Sequence, residues 1–382
     1  MPEFSITTLA RAEDIDRSAW AALTPAGHPF LNADFFAILE RHHTAGPASG
    51  WQARHWLAQG ADGTVLGLLP TYLKSNSHGD FVRDWSWAAA YAQLGKPYFP
   101  KLLSGLPHTP AAGPRLLVKA DTMAGQVRDR LIETAKAAVG ELQLSSWHVA
   151  LPAPEDAASF QAHGLLLSHD VQFHWRNRGY ENFEHYLAAF PSEKRRKVKA
   201  ERRRVAESGL SIEVRHGDEI DPAEWPRLYH LYASTFDKYG NHAAFSPACF
   251  ADLGAALGRL MVLFIAREDG VAVALSLCFR SADTLYGRYW GSSGNYHSLH
   301  FELCFYQGIA YCLAHGLQTF EPGAGGEHKV ARGFEPSVVS SCHWIEDPRM
   351  RQLIGQHLER QHHHVVAYAD EAATHLPFRS AG

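Results

Sequence analysis

The chain lacks the sequence features of a membrane-spanning or exported protein. Its longest strongly apolar run, residues 260–266, is much shorter than the roughly 20 residues that a bilayer-spanning helix needs. Residues 1–20 include acidic side chains and no apolar segment of the kind found in signal peptides. We therefore expect a cytoplasmic protein with no transmembrane segment.

Cysteine is scarce, and its five copies show no CxxC spacing. An odd number of cysteines, most of them in apolar surroundings, predicts buried free thiols rather than a disulfide framework. Histidine is abundant, with 24 copies, but the triplet at residues 362–364 cannot chelate one ion because adjacent residues on a helix point apart. We predict no metal site and no tightly bound cofactor.

Strong charge of one sign is also missing. The formal net charge is −4, so contact with a polyanion must come from a local patch and not from the molecule as a whole. The apolar content of 46% and the charged content of 20% are those of an ordinary globular protein. A length of 382 residues exceeds one usual hydrophobic core, which favours two domains.

The two halves of the chain repeat one pattern in the same order. Residues 54–75 and 261–281 each read as two strands around a tight Asp-Gly turn, at 62–63 and 269–270. Each hairpin follows a helix with a favourable N-cap, Asn32 or Ser246. The repetition indicates a duplicated α/β unit with mixed sheets. We place the domains at residues 1–180 and 181–382.

A strongly basic helix is predicted over residues 192–208, at the start of the second half. It holds eight basic and three acidic residues and has only a narrow apolar stripe. The functional interpretation is an anionic partner, such as the phosphates of RNA, a nucleotide or a lipid head group. The alternative is a solvated charged face. The candidate anion-binding residues are Arg195, Arg196, Lys199, Arg202 and Arg203.

A glycine-rich loop over residues 320–334 gathers several kinds of titratable side chain. Glu327 or His328, with Glu321 nearby, is a candidate general base, and Lys329 and Arg332 are candidate partners for an oxyanion, a carboxylate or a phosphate. The glycines allow backbone N–H groups to approach a ligand closely, and those in the candidate binding loop are Gly323, Gly325 and Gly326.

Further candidates precede this loop. A strand ends in large side chains that shape either an acceptor pocket or the core, namely Arg288, Tyr289 and Trp290. Tyr239 and His242, in an earlier loop, are assigned the same two alternatives. His300 and Glu302 open the next helix, whose N-terminus carries partial positive charge.

Together these segments resemble a known family. The order of strands, helices and hairpins is similar to the GNAT acyltransferase fold, and the paired halves with a basic helix resemble its FemAB-like branch, in particular the peptidoglycan biosynthesis/recognition group of predicted N-acyltransferases. The matching motifs lie at residues 51–55, 69–75, 105–110, 320–323 and 327–334.

The resemblance implies tandem GNAT-like domains and transfer of an acyl or aminoacyl group to an amine of a small molecule or peptide, with a link to cell-wall peptides. It leaves the donor open between acyl-CoA and aminoacyl-tRNA. Residues 291–297 lack the glycine spacing with which CoA-dependent relatives hold the pyrophosphate.

Two other functions fit the same sequence. The chain is alternatively a non-catalytic GNAT-like module that binds a peptide or cell-wall fragment, or an RNA-binding protein that uses the basic helix. The sequence does not indicate an oligomeric state.

Overall fold

The computed structural model describes residues 4–323 and 325–378. Its strands, in chain order, are β1 (Phe4–Leu9), β2 (Trp51–Ala53), β3 (His55–Gly60), β4 (Val65–Leu69), β5 (Tyr72–Lys74), β6 (Lys101–Ser104), β7 (Leu117–Val118), β8 (Ser146–Val149), β9 (Leu166–Arg176), β10 (Ser211–His216), β11 (Met261–Glu268), β12 (Val271–Arg280), β13 (Thr284–Ser292), β14 (Thr319–Glu321) and β15 (Glu335–Ile345).

The helices alternate with these strands. They are α1 (Arg17–Ala21), α2 (Ala33–Arg41), α3 (Trp85–Gln93), α4 (Ala124–Glu141), α5 (Pro154–Ala162), α6 (Phe183–Ala188), α7 (Ser192–Ala206), α8 (Trp225–Lys238), α9 (Pro247–Leu257), α10 (Leu299–Phe301), α11 (Gln307–Ala314) and α12 (Pro348–Thr374). A π-helical turn, Glu302–Tyr306, joins α10 to α11 without a break.

The chain forms two compact units. The first comprises residues 1–25, 30–170 and 338–367, and the second comprises residues 26–29, 171–337 and 368–382. A single boundary at residue 180 therefore does not describe this division. The first unit includes residues 338–367 from late in the chain, because β15 pairs with β8. The pairing runs from Ile345 opposite Ser146 to Cys342 opposite Val149.

The first unit contains two groups of paired strands. One has the order β1–β3–β4–β7, all antiparallel. In the other, β5 pairs with β2 and β6, β6 runs parallel to β8, and β8 pairs with β15. Helix α4 packs its apolar face, including Leu131 and Ile132, into a core with Trp147 and Phe160.

The second unit is an antiparallel meander extended by a parallel strand. Strands β10 to β13 pair in sequence, β14 runs parallel to β13, and β9 pairs with β14. Its core includes Trp175, Phe264, Tyr306 and Phe320. Both units therefore combine mixed sheets with helices, as the sequence predicts.

Local predictions from the sequence are confirmed. Asp-Gly turns join β3 to β4 and β11 to β12, and the glycines of both turns have positive φ. The side chain of Asn32 accepts a hydrogen bond from the first turn of α2, and that of Ser246 does so for α9. The basic helix α7 ends at Ala206, two residues before the predicted end. All five cysteines are free, and four are buried.

Candidate functional site

A β-bulge in the second unit marks the candidate site. Leu277 of β12 lies opposite Tyr289 and the next residue, Cys278, lies opposite Gly287, so Arg288 is an extra residue on β13. A bulge bends its strand and redirects the side chains near it.

Strands β13 and β14 diverge beside this bulge. They pair only at three positions, ending with Tyr286 opposite Glu321. Strand β13 continues to Ser292, while the chain after β14 leaves as the glycine loop. A Cβ atom on Gly287 would lie 3.0 Å from the Cα atom of Pro322, so glycine at this position allows the loop to cross close to β13.

The divergence opens a cavity of about 290 Å³. Its walls come from strands β12 and β13, the π-helical turn region and the glycine loop. The lining residues are Ser276, Gly287, Arg288, Tyr289, Trp290, His300, Cys304, Phe305, Pro322, Gly325, Gly326, His328 and Lys329.

Lys329 supplies a buried cation to this cavity. Only 4% of its surface is exposed, and its Nζ atom donates a hydrogen bond of 2.7 Å to the carbonyl oxygen of Gly323. Burial lowers the pKa of Lys329 to about 8, because desolvation disfavours the ammonium. The residue therefore remains mostly protonated at pH 7.

Two imidazole rings stand near this ammonium. Burial, followed by the charges of His328, Arg332 and Lys329, lowers the pKa of His300 to about 4. Partial burial and the neighbouring Lys329 and Arg332 also lower the pKa of His328. The ring centroids of the two histidines are 6.2 Å apart. Both rings are neutral at pH 7, and each has one nitrogen lone pair.

The two candidate carboxylates lie outside the described lining of the cavity. Glu327 is exposed and accepts a hydrogen bond of 3.0 Å from the hydroxyl of Tyr368. Glu321 is the last residue of β14, and its charge raises the pKa of Tyr286, where burial is the larger cause.

Arg332 is held in a buried network instead of facing the cavity. Its guanidinium lies 3.2 Å from the carboxylate of Glu201 and donates to the hydroxyl of Tyr306 at 3.1 Å. It also donates to the backbone oxygen of His328 at 3.0 Å and stacks over Phe301. The side chain thus stabilises the turn that carries His328 and Lys329.

Glu302 lines a second cavity, which has a volume of about 550 Å³ and lies beside the basic helix α7. Its buried carboxylate lies 3.1 Å from the guanidinium of Arg202, which also lines this cavity together with Lys199 and Arg203. Lys199 pairs with Glu184 at 2.6 Å, and Arg203 lies 3.8 Å from Glu207.

The remaining candidates are at the surface. Arg196 is exposed and Arg195 is half-buried near the start of α7. Tyr239, 71% exposed, and His242 lie after α8, and neither is among the residues that line the 290 Å³ cavity.

Five residues of the cavity lining are not among the candidates chosen from sequence, namely Ser276, Gly287, Cys304, Phe305 and Pro322. Ser276, Cys304 and Phe305 sit in apolar segments and look like core residues. Burial raises the pKa of the Cys304 thiol to about 12, so it is not a thiolate. The register shift at Leu277 and the π-helical turn, which place these side chains, have no local sequence signature.

Within residues 4–323 and 325–378, no group of three or more His, Cys, Asp or Glu side chains is arranged to hold a metal ion. In the same part of the chain, no helix combines the length and apolar character needed to cross a bilayer.

Comparison with known proteins gives a family match over nearly the whole chain. The FemAB-like family model, described as peptidoglycan biosynthesis/recognition, matches residues 11–380. None of the curated proteins matches the sequence.

Solved structures share the fold at low sequence identity. The C-terminal domain of a putative lysylphosphatidylglycerol synthetase from Agrobacterium fabrum has a TM-score of 0.55 and 11% identity, covering 90% of this chain and 95% of that one. FemX has a TM-score of 0.51 and 12% identity, covering 92% and 100%. L-PGS from Bacillus licheniformis has a TM-score of 0.50 and 11% identity, covering 85% and 96%. The predicted fold class, tandem GNAT-like α/β units, is confirmed.

Proposed function

Because the chain belongs to the FemAB-like family, we propose that it transfers an acyl or aminoacyl group from an activated donor to an amine. The donor is an acyl-CoA thioester or an aminoacyl-tRNA ester. The family's description, peptidoglycan biosynthesis/recognition, supports a cell-wall peptide amine as the acceptor. The single observation that carries the proposal is the buried ammonium of Lys329 in a cavity between diverging strands.

Lys329 is suited to stabilise the charge that acyl transfer develops. Attack of an amine on a carbonyl carbon produces a tetrahedral oxyanion. The lysine ammonium has three N–H donors, and Gly323 is the one hydrogen-bond partner shown for its Nζ atom within the described residues. The other two donors serve the oxyanion, at a site where burial strengthens the interaction.

His328 is the best placed base for the acceptor amine. It lines the cavity, whereas Glu327 does not line it and accepts a hydrogen bond from Tyr368. A neutral imidazole has the lone pair needed to take the proton that the amine loses when the new C–N bond forms. Arg288, Tyr289 and Trp290 then form the wall against which the acceptor is held.

A comparison of donors tests this function. Thermal unfolding is followed with acetyl-CoA, longer acyl-CoAs, charged tRNA and uncharged tRNA, and any donor that raises the midpoint is then incubated with peptide amines. We expect one donor class to stabilise the protein and to yield an amide product detectable by mass spectrometry.

Two other results would contradict the proposal. A peptide or cell-wall fragment that saturates the protein, with no transfer from any donor, would support a binding module. Salt-sensitive binding of charged and uncharged tRNA alike, without transfer and abolished by neutralising Arg195 and Arg196, would support an RNA-binding protein.

A further inference from the structure

A chain of hydrogen bonds in the first unit ends on a serine. The Oγ atom of Ser168 in β9 lies 2.8 Å from Nε2 of His343 in β15. His343 is opposite His148 of β8, and their Nδ1 atoms are 2.9 Å apart. Both histidines are completely buried. Side chains far apart in sequence thus form one continuous polar path.

A buried ionic cluster lies at the other end of this path. The carboxylate of Asp84 accepts hydrogen bonds from Tyr98, Ser77 and Lys101. Lys101 also donates to Asp80 at 2.8 Å, and its side chain is fully buried. Nε2 of His148 lies 3.7 Å from the Asp84 carboxylate. A positive charge on His148 would be attracted by the carboxylate of Asp84 and opposed by burial and by the ammonium of Lys101, which together lower the pKa of His148.

The hydrogen-bond donors fix the direction of the path. Tyr98 donates its proton to Asp84, so Nε2–H of His148 is shared between the oxygen of Tyr98 at 3.0 Å and the Oγ atom of Ser146 at 2.8 Å. A neutral imidazole carries one N–H, so Nδ1 of His148 accepts from Nδ1–H of His343. Nε2 of His343 is then left with its lone pair facing the hydroxyl of Ser168.

Ser168 also faces a cavity in the first unit. This cavity has a volume of about 140 Å³, and its lining includes Arg83 and Ser341. Three non-glycine residues of its wall have positive φ: 57° at Phe81, 61° at Arg83 and 51° at Leu151. Such strained backbone persists where the surrounding structure enforces it, and it clusters at functional sites.

We propose that Ser168 is the nucleophile of a second reactive centre, which accepts short acyl groups from esters or thioesters. A serine bonded to an imidazole that is oriented by further groups has the arrangement used for nucleophilic catalysis. The volume of 140 Å³ corresponds to four or five waters at about 30 Å³ each. An acyl group that fits this cavity has about four or five non-hydrogen atoms, one for each water that it would replace.

The transfer step is balanced within the path. The Oγ atom of Ser168 bonds to the acyl carbon while its proton moves to Nε2 of His343. His343 passes its Nδ1 proton to Nδ1 of His148, so the positive charge comes to rest beside Asp84. When the C–O or C–S bond breaks, the protons return along the path and His343 protonates the leaving alkoxide or thiolate. The products are acyl-Ser168 and an alcohol or thiol.

Labelling with a small alkyl fluorophosphonate tests the proposal on the full-length protein. Such a probe forms an O–P bond with an activated serine and releases fluoride. Intact-mass and peptide analysis are expected to locate one adduct on Ser168. Ser168→Ala should lose it, and Ser159→Ala, which changes a partly exposed serine on α5, should label like the wild type.

The role of the hydrogen-bond path is tested by His343→Gln. This substitution should slow labelling at Ser168 about 100-fold, which is at the lower end of the range for the loss of a general base. The proposal is overturned if the wild-type protein remains unlabelled or reacts at another residue. It is also overturned if a folded His343→Gln variant labels at the wild-type rate. These results are independent of the donor experiment, because labelling requires neither a donor nor an acceptor.

Discussion

At the residue scale, neighbouring side chains of one turn have different environments. Lys329 is buried in the cavity, whereas Glu327 and His328 are largely exposed. Residues Glu327–Arg332 form a 3₁₀ helix, in which successive side chains point about a third of a turn apart. The sequence predicts that titratable groups gather in this loop. It cannot predict which of them face the cavity, because that depends on the local winding of the chain.

Substitutions at His328 and Glu327 separate the two candidate bases. We expect His328→Gln to lower kcat about 100-fold, because the amine loses its proton acceptor. Glu327→Gln should change kcat less than about threefold, since Glu327 contacts Tyr368 and does not line the cavity. Steady-state kinetics of amide formation provide the measurement, and the reverse order of effects would assign the base to Glu327.

At the element scale, the basic helix α7 carries less unpaired charge than its sequence predicts. Three of its five candidate anion-binding residues lie near carboxylates, and the partner of Arg202 is 100 positions away in the chain. A contact at that separation has no local sequence signal. The hairpins and the helix N-caps were predictable because residues within a few positions determine them.

Adjacent arginines of α7 provide a matched pair for stability. Arg202→Ala leaves the buried carboxylate of Glu302 without its charged partner, and we expect the free energy of unfolding to fall by about 2 kcal/mol. Arg203→Ala removes an exposed side chain and should change it by less than about 0.5 kcal/mol. Urea denaturation measures both. Equal effects would show that the Arg202–Glu302 pair contributes no more than a surface contact.

At the scale of the whole molecule, the sequence predicted the family and the fold but not the division of the chain. Repeated hairpins and conspicuous motifs carry the family resemblance, and both are local. The return of residues 338–367 to the first unit depends on the pairing of β15 with β8, nearly two hundred positions away. The hydrogen bond between Ser168 and His343 has no local sequence signal for the same reason.

The buried histidines predict the acid sensitivity of the fold. Burial lowers the pKa of His174 and His300 to about 4, that of His343 to about 3, and that of His148 well below 6.5. Between pH 6.5 and 4 the unfolded chain therefore binds more protons than the folded chain, so stability falls as the pH falls. Each group contributes up to about 1.4 kcal/mol per pH unit.

Urea denaturation at several pH values measures this dependence. We expect a slope near pH 5 that corresponds to the uptake of about four protons on unfolding. His174→Gln should reduce the slope by about one proton, whereas His364→Gln, at an exposed position, should leave it unchanged. A slope below one proton would contradict the neutral, buried state of these rings.

The central claim is that the ammonium of Lys329 stabilises the oxyanion of acyl transfer. The most direct test is kcat/KM of Lys329→Met, compared with the wild type and with Lys119→Met at an exposed position. Methionine keeps a side chain of similar length without the charge, and thermal unfolding verifies that the variant is folded. The account predicts a loss of about 100-fold or more at Lys329 and no loss at Lys119. A folded Lys329→Met variant with wild-type kcat/KM would contradict it.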